Sequence, residues 1–289
     1  MLSSPLRWVG GKSRLRAEVI ARFPCDTQCY AEVFAGAAWV LFGKEPHSTE
    51  VINDVNGDLV NLWRVLKWRP AELLETVEQS LYSREVFDEL RSDPAPPSHA
   101  KDVMQRALPT YLLIQMAFGA EVSSVSSASF GYGKGKGHRL FACRARDHFP
   151  PAADRLQNVY IENLDFVDLI RRYDQPRTLF FCDPPYLGTR GYASEFTETD
   201  HERLASVLHR IQGRFLVTIN DHPRIRELYA DCHIEEAVEA RSLARALTAR
   251  KAAPILFISN YDTGSGRERE SNNARTTIEN RGNGARPPA

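Results

Sequence analysis

Residues 178–186, TLFFCDPPY, carry five uncharged side chains straight into an acid, two prolines and a tyrosine. Each proline fixes its own φ and pushes the residue before it out of the helical region, so a strand ending here cannot pass at once into a helix. The chain must leave the sheet edge extended and stiff. Asp183, the Pro184 carbonyl and the Tyr186 ring are thereby expected on a rigid backbone just past the end of a buried strand.

The rest of the chain supplies a sheet for that strand. YAEVF (30–34) and EVIND (50–54) are short apolar runs ending in turn or acidic residues, and DLVNLWRVLKW (58–68) repeats Leu59, Leu62, Trp63 and Leu66 at helical spacing. A second block starts at VYIEN (159–163) and continues through DFVDLIRRY, TLFFCDPPY, TDHERLASVLHRI and FLVTIND to a final pair of strands near HIEEAVEA and APILFISNY. Thr199 with Glu202 fits a capping box opening the helix between the last two parallel strands. Buried strands alternating with helices predict an α/β fold with a mostly parallel, doubly wound sheet.

Between the blocks the texture turns helix-rich and then glycine- and serine-rich, in SSVSSASFGYGKGKGHRL, as expected of an insertion with its own task. The predicted layout is a first catalytic part over 1–66, the insertion over 67–150, a second catalytic part over 151–263 and a disordered tail over 264–289, where apolar residues are almost absent. A chain of 289 residues with 43% apolar side chains can bury one core with an inserted subdomain. Its 37 basic and 37 acidic residues cancel, so nucleic-acid contact must rest on local charge. Five scattered cysteines do not complete a zinc site and suit a reducing compartment. The N-terminus lacks a signal-peptide core and no segment reads as a membrane span, which predicts a cytoplasmic protein without membrane contact.

The first block has the marks of a nucleoside-binding half. Gly36 among Ala35, Ala37 and Ala38 lets a ligand approach the backbone at the end of the first strand. Asp54 follows eighteen residues later, where a ribose-binding carboxylate belongs. Either feature alone is as well explained by a turn or a helix cap; their spacing raises them above that. RWVGGKSRL (7–15) ends like a phosphate-binding loop, but the glycine required five residues before Gly11 is Leu6 and no strand precedes it, which excludes a nucleoside triphosphatase. Its glycines instead permit a tight turn aiming Lys12 at a carboxylate and Trp8 at an apolar face.

Asp183-Pro184-Pro185-Tyr186 suits the methylation of an exocyclic base amine. Acceptors on the two amine hydrogens free the nitrogen lone pair from the ring; Asp183 and the Pro184 carbonyl supply them, and Tyr186 offers a face for stacking. The prolines preorganise the set. Extruding a base costs a few kcal/mol, and a base–aromatic stack returns about 1–3 kcal/mol, so Tyr186 offsets much of that cost.

These residues bring a family into view. The chain resembles the Dam-like, alpha-group DNA adenine-N6 methyltransferases of bacteria, phages and prophages. The likeness runs in order through PLRWVGGK (5–12), EVFAGAAWV (32–40), NDVNGDL (53–59), ENLDF (162–166), CDPPY (182–186), FTETDHERLA (196–205) and FISNYD (257–262), covering roughly residues 5–263. The resemblance implies a Rossmann-like S-adenosylmethionine-dependent methyltransferase sheet with an inserted helical target-recognition domain. It implies S-adenosyl-L-methionine as cofactor, lined by Trp8, Gly11, Lys12, Phe34, Gly36, Asp54, Asp165, Phe166 and Asp183, with Asp165 near the cofactor adenine. Asp183, Pro184, Pro185 and Tyr186 would handle a flipped adenine in double-stranded DNA, without a metal. Val33 and Ala38 stand where the family commonly has a proline and a second glycine. The Arg-Tyr-Asn stretch of GATC-reading members is absent, so no recognition sequence is assigned.

DNA contact is expected from Lys134, Lys136, Arg139, Arg144 and Arg146, interleaved with glycine, Tyr132 and Phe141, as a loop that follows phosphates. RSLARALTARK (241–251) is a second basic stretch, equally well read as a surface hairpin. His201 and His209 fall on a helix and need no catalytic role. A monomer or weak dimer is expected. The alternatives are a cytosine-N4 methyltransferase, whose tetrapeptide usually starts with Ser, and a DNA-binding module of the same fold that has lost catalysis.

Overall fold

The computed structural model describes residues 2–8, 10–92, 103–117, 129–131, 137–188, 196–239 and 253–264. Seven strands are described: β1 (Cys29–Glu32), β2 (Thr49–Asn53), β3 (Val159–Glu162), β4 (Thr178–Cys182), β5 (Arg214–Asn220), β6 (His233–Glu239) and β7 (Ala253–Ser259). They form one sheet in the order β3-β2-β1-β4-β5-β7-β6. Strands β3, β2, β1, β4 and β5 run parallel to one another, while β7 is antiparallel to both β5 and β6. The chain winds outward from β1 to β3, then returns to place β4 against the other side of β1. The crevice at the carboxyl ends of β1 and β4 is therefore the switch point at which such sheets bind ligands.

Both faces of the sheet are covered, which is why β4 reads as an unbroken apolar run and not as an alternation. Leu179 and Phe181 enter one core cluster, Phe180 and Cys182 the other, following the period-two geometry of a strand. Helices α8 (Phe166–Tyr173), α9 (Glu198–Leu208) and α10 (Pro223–Leu228) cover the second face through Leu169, Leu204 and Ile225. On the first face lie α1 (Arg16–Ile20), α2 (Trp39–Gly43), α3 (Gly57–Trp68), α4 (Pro70–Gln79), α5 (Arg84–Ser92), α6 (Val103–Met116) and α7 (Gly137–Leu156). The helix read from Leu59, Leu62, Trp63 and Leu66 is α3, and all four residues are buried. Asn56 caps it by accepting from the Asp58 and Leu59 amides.

Two local expectations are corrected. The capping box of α9 is formed by Thr197 and Asp200, not by Thr199 and Glu202. Thr199 already lies inside the helix, and Glu202 pairs with Arg224. The glycine-rich stretch also becomes helical sooner than expected, because α7 begins at Gly137. Phe141, Ala145, Phe149, Ala152 and Leu156 recur every three or four residues and are all buried, so the helix has a continuous face to bury. Residue 150 lies inside this helix, which ends at Leu156.

The helices of the inserted region join the core of the sheet: Leu73, Val77, Phe87, Tyr111 and Phe149 share one cluster with Leu179 and Phe181. At the β3 edge, Arg64 and Lys67 of α3 donate to the carbonyls of Ile161 and Val159 at 3.1 and 2.8 Å, so that edge is not left bare for pairing. Among the described residues no helix is long and apolar enough to cross a membrane. The basic stretch 241–251 and the tail beyond Gly264 lie outside the described residues.

Candidate active site at the ends of β1 and β4

A cavity of about 250 Å³ opens at the switch point, and its walls come from Trp8, Gly10–Lys12, the turn after β1, the Asn53–Asn56 turn, Leu164–Phe166, Asp183 and the start of α9. The turn after β1 is held by backbone and carboxylate together. Ala35 donates to the Asn53 carbonyl at 2.8 Å, and Asp54 accepts from the amides of Gly36 and Asn56 at 3.0 and 2.9 Å. Gly36 has φ +49°, and a Cβ there would lie 2.8 Å from the Trp8 indole nitrogen, so this position requires glycine on both counts. Ala38, in the place of the family's second glycine, also has φ 50° and carries the strain of a left-handed backbone. Burial raises the Asp54 carboxyl above its ordinary value, against the pull of the Asn56, Gly36 and Val55 amides.

Asn53 joins three strand ends. Its amide donates to the carbonyls of Val33 and Leu164 at 3.0 and 3.1 Å and accepts from the Leu164 amide at 2.9 Å. That fixes the approach to Asp165, which caps α8 through the Val167 amide and is gripped by Arg203 at 3.1 Å from each of its oxygens. The Arg203 guanidinium also lies over the Phe166 ring at 4.8 Å. Phe34, Phe166 and Phe196 stand with ring centroids 5.6–5.7 Å apart, an aromatic cradle on one side of the cavity.

Asp183 leaves β4 and meets Lys12, as the glycine turn predicts. The Lys12 ammonium is 2.8 Å from Asp183 Oδ1, donates to the Gly10 carbonyl at 2.9 Å, and lies 5.1 Å from the Tyr186 ring centroid. Thr218 of β5 donates to the same Oδ1 at 2.7 Å. Asn220, two residues on, donates to the Leu187 carbonyl at 3.0 Å and so secures the chain beyond Tyr186.

Glu32 closes the floor of the cavity. It is 3% exposed, and its Oε2 accepts from the Tyr30 hydroxyl and the Leu41 amide, each at 3.0 Å. Burial above all pushes its carboxyl up to about 8, so it is uncharged at neutral pH. The unfolded chain releases this proton near the ordinary value of 4.5 and the folded chain near 8, so folding takes up a proton in that window and stability falls as pH rises through it. Glu32→Gln is expected to remove this dependence. In thermal melts its advantage over the parent should grow from about pH 5 to about pH 8; a difference that stays flat refutes it.

The structure thus brings Trp8, Gly11, Lys12, Phe34, Gly36, Asp54, Asp165, Phe166, Asp183 and Pro185 together at one cavity, with Tyr186 beside Lys12. Asn53, Phe196, Arg203 and Thr218 were not singled out from the sequence. Asn53, Phe196 and Arg203 fall in stretches that carry the resemblance, NDVNGDL and FTETDHERLA, whereas Thr218 carries no local signal.

The predicted DNA contacts are not gathered there. Lys134 and Lys136 lie outside the described residues, and Arg139 falls on α7 without a described side chain. Arg146 pairs with Glu78 at 2.5 Å on the surface. Arg144 is half-buried and donates to the carbonyls of Ser4 and Pro5 at 2.8 and 3.2 Å, while burial lowers its basicity. It therefore acts as a strut for the segment carrying Trp8 and Lys12. His201 is 2% exposed, lies edge-on to Phe196 at 4.7 Å, and is lowered by burial to about 4, as suits a neutral packing group. His209 closes on Asp231 at 2.8 Å, beside the amino end of β6 and so at the opposite end of the strands from the cavity.

A sheet of this order, with an acid–proline–proline–tyrosine turn projecting from its switch point, is the scaffold of a Rossmann-like methyltransferase. The branch follows from comparison with known proteins. Residues 8–243 match the model of the D12 class N6 adenine-specific DNA methyltransferases, and the chain belongs to that family. Its activity is S-adenosylmethionine-dependent methylation of adenine N6 in DNA. Among its relatives, the DNA adenine methylase of Escherichia coli is 24% identical over 83% of this chain and 88% of its own length. The type II methyltransferase M1.LlaDCHI of Lactococcus lactis subsp. cremoris is 25% identical over 88% and 94%. The DNA N-6-adenine-methyltransferase of Escherichia phage P1 is 28% identical over 79% of this chain, which spans 31% of that longer protein.

Proposed function

We propose that the chain methylates an adenine extruded from double-stranded DNA, with the base at Asp183–Tyr186 and the cofactor in the adjoining cavity. The observation that carries this reading is that Asp183 lines the cavity while Lys12, 2.8 Å from it, lies 5.1 Å from the Tyr186 ring centroid. The cavity fits the cofactor chemically. Its aromatic rings suit a purine, and the carboxylates of Asp54, Asp165 and Asp183 outnumber the cations of Lys12 and Arg203, which suits a sulfonium. S-adenosylmethionine supplies the electrophilic methyl group.

Phe34 and Phe166 would flank the cofactor adenine, Asp165 would meet its exocyclic amine, and Asp54 would serve the ribose. A carboxylate has about four acceptor sites, so Asp54 retains capacity beside its bonds to Gly36 and Asn56. Trp8, Gly11 and Gly36 pack the site closely enough to fix the ligand. On the base side, Asp183 and the Pro184 carbonyl accept the two N6 hydrogens, Tyr186 stacks on the ring, and Pro184 and Pro185 keep the acceptors from relaxing. The amine would take the methyl group that the cofactor supplies and give up one N6 proton during or after it. The rate then depends on positioning and charge placement.

The helices of residues 67–150 serve as the target-recognition region, with Lys134, Lys136, Arg139 and Arg146 tracking phosphates. Incubation with S-adenosylmethionine and unmethylated genomic DNA, read by nucleoside mass and by long-read sequencing, should yield N6-methyladenine in one sequence context. N4-methylcytosine, or transfer to single strands alone, would overturn the reading of a flipped adenine in a duplex.

A further inference from the structure

We infer that Thr218 is a positioning residue for the reaction, selecting which oxygen of Asp183 faces the substrate amine. The inference rests on the base-binding reading of Asp183 given above.

Thr218 lies on β5 between Val217 and Ile219 and is fully buried. A hydroxyl in that setting needs a partner, and the β4–β5 register, which sets Cys182 opposite Val217, brings Asp183 within reach. A carboxylate only accepts, so the Thr218 hydroxyl donates to Oδ1 at 2.7 Å. Lys12 donates to that same oxygen at 2.8 Å. With two donors on Oδ1, the carboxylate stops rotating and Oδ2 becomes the acceptor offered to the N6 hydrogen.

The two donors differ in stiffness. Lys12 reaches Asp183 from a four-carbon stem on a loop, whereas Thr218 has one side-chain torsion on a central strand, so Thr218 determines the angle and Lys12 adds charge. Asn220 projects from the same face of β5 and holds the Leu187 carbonyl. Strand β5 thus braces the Asp183–Tyr186 turn at both ends.

The test compares Thr218→Val, which keeps the shape and removes the donor, with Thr218→Ser, which keeps the donor. At saturating S-adenosylmethionine and duplex DNA, Thr218→Val should lose about 10- to 100-fold in kcat, the effect of one hydrogen bond to a charged group. Its cofactor Kd by calorimetry should remain close to that of the parent. Thr218→Ser should recover most of the kcat. Equal losses in both variants, or a loss confined to cofactor affinity or thermal stability, would make Thr218 merely structural and overturn the inference. Asp183→Asn is assayed in parallel. If it is inactive while Thr218→Val keeps the parental kcat, only the role of Thr218 fails. If Asp183→Asn is itself active, the base-binding reading fails and the inference with it.

Discussion

Asp183→Asn should lower the rate of methyl transfer by about 10³-fold, the upper range for removing one preorganised electrostatic group. The size of this effect comes from how the carboxylate is held. Lys12 and Thr218 both donate to Oδ1, so they would orient an asparagine with its carbonyl oxygen in that place. Its amino group would then stand where Oδ2 had been and present a donor to the N6 hydrogens. The substitution thus replaces attraction by repulsion, at little cost in shape. Asp183→Ala is a poorer probe: both variants remove the charge beside an ammonium only 3% exposed, but alanine also takes away the oxygen to which Lys12 and Thr218 donate. Removing one partner of a buried pair costs about 3–5 kcal/mol in stability, which would mix misfolding with lost chemistry. Single-turnover transfer of a labelled methyl group, with a thermal melt as control, separates the two. An asparagine variant within about tenfold of the parent would remove Asp183 from the acceptor role that the electrostatic argument gives it.

The same pair shows what the sequence made legible. Asp183-Pro184-Pro185-Tyr186 can be read locally, because prolines act on their own backbone and on the residue before them. Gly36 and Asp54 can be read by spacing, because a strand, a helix and a second strand consume a fairly constant length of chain. Even there the contacts exceed the pattern: Asp54 also bonds the Gly36 amide and so shapes the turn that would receive the ligand. Thr218 was not legible, since it reaches an acid 35 positions away only through the register of β4 and β5. Arg203 is similar, being one arginine of a polar helix face until α8 and α9 bring it 3.1 Å from Asp165. The start of α7 was misjudged because glycines and cations dominate the composition there, while the apolar residues that decide the helix are spread over 141–156. For Arg144 the sequence shows the charge but not the carbonyls of Ser4 and Pro5 to which it donates.

The largest stability effect is expected away from the cavity, at Glu50. This residue of β2 accepts from Lys44, just past α2, and from both terminal nitrogens of Arg155, in the last turn of α7. The side chains are 2%, 1% and 9% exposed, respectively. One carboxylate thus ties the sheet to two helices on its first face and offsets two buried cations. Glu50→Gln leaves those cations facing each other and should cost about 3–5 kcal/mol, read as a lower urea midpoint at unchanged slope. Burial works to raise the Glu50 carboxyl, but hydrogen bonds from Arg155 and the charge of Lys44 overrule it and hold the group below its ordinary 4.5. A depressed carboxyl contributes its stability above the unfolded value and loses it as pH falls through the folded one. The stabilities of parent and variant should therefore converge on acidification below about pH 4.5 and diverge to the full difference at neutral pH. Replacing all three residues by apolar ones of similar volume should come closer to the parent than Glu50→Gln does, because the cost lies in unpaired buried charge and not in the absence of an ion pair. A Glu50→Gln chain within about 1 kcal/mol of the parent at neutral pH would mean that water reaches Lys44 and Arg155, and that the three elements are joined by their apolar contacts alone.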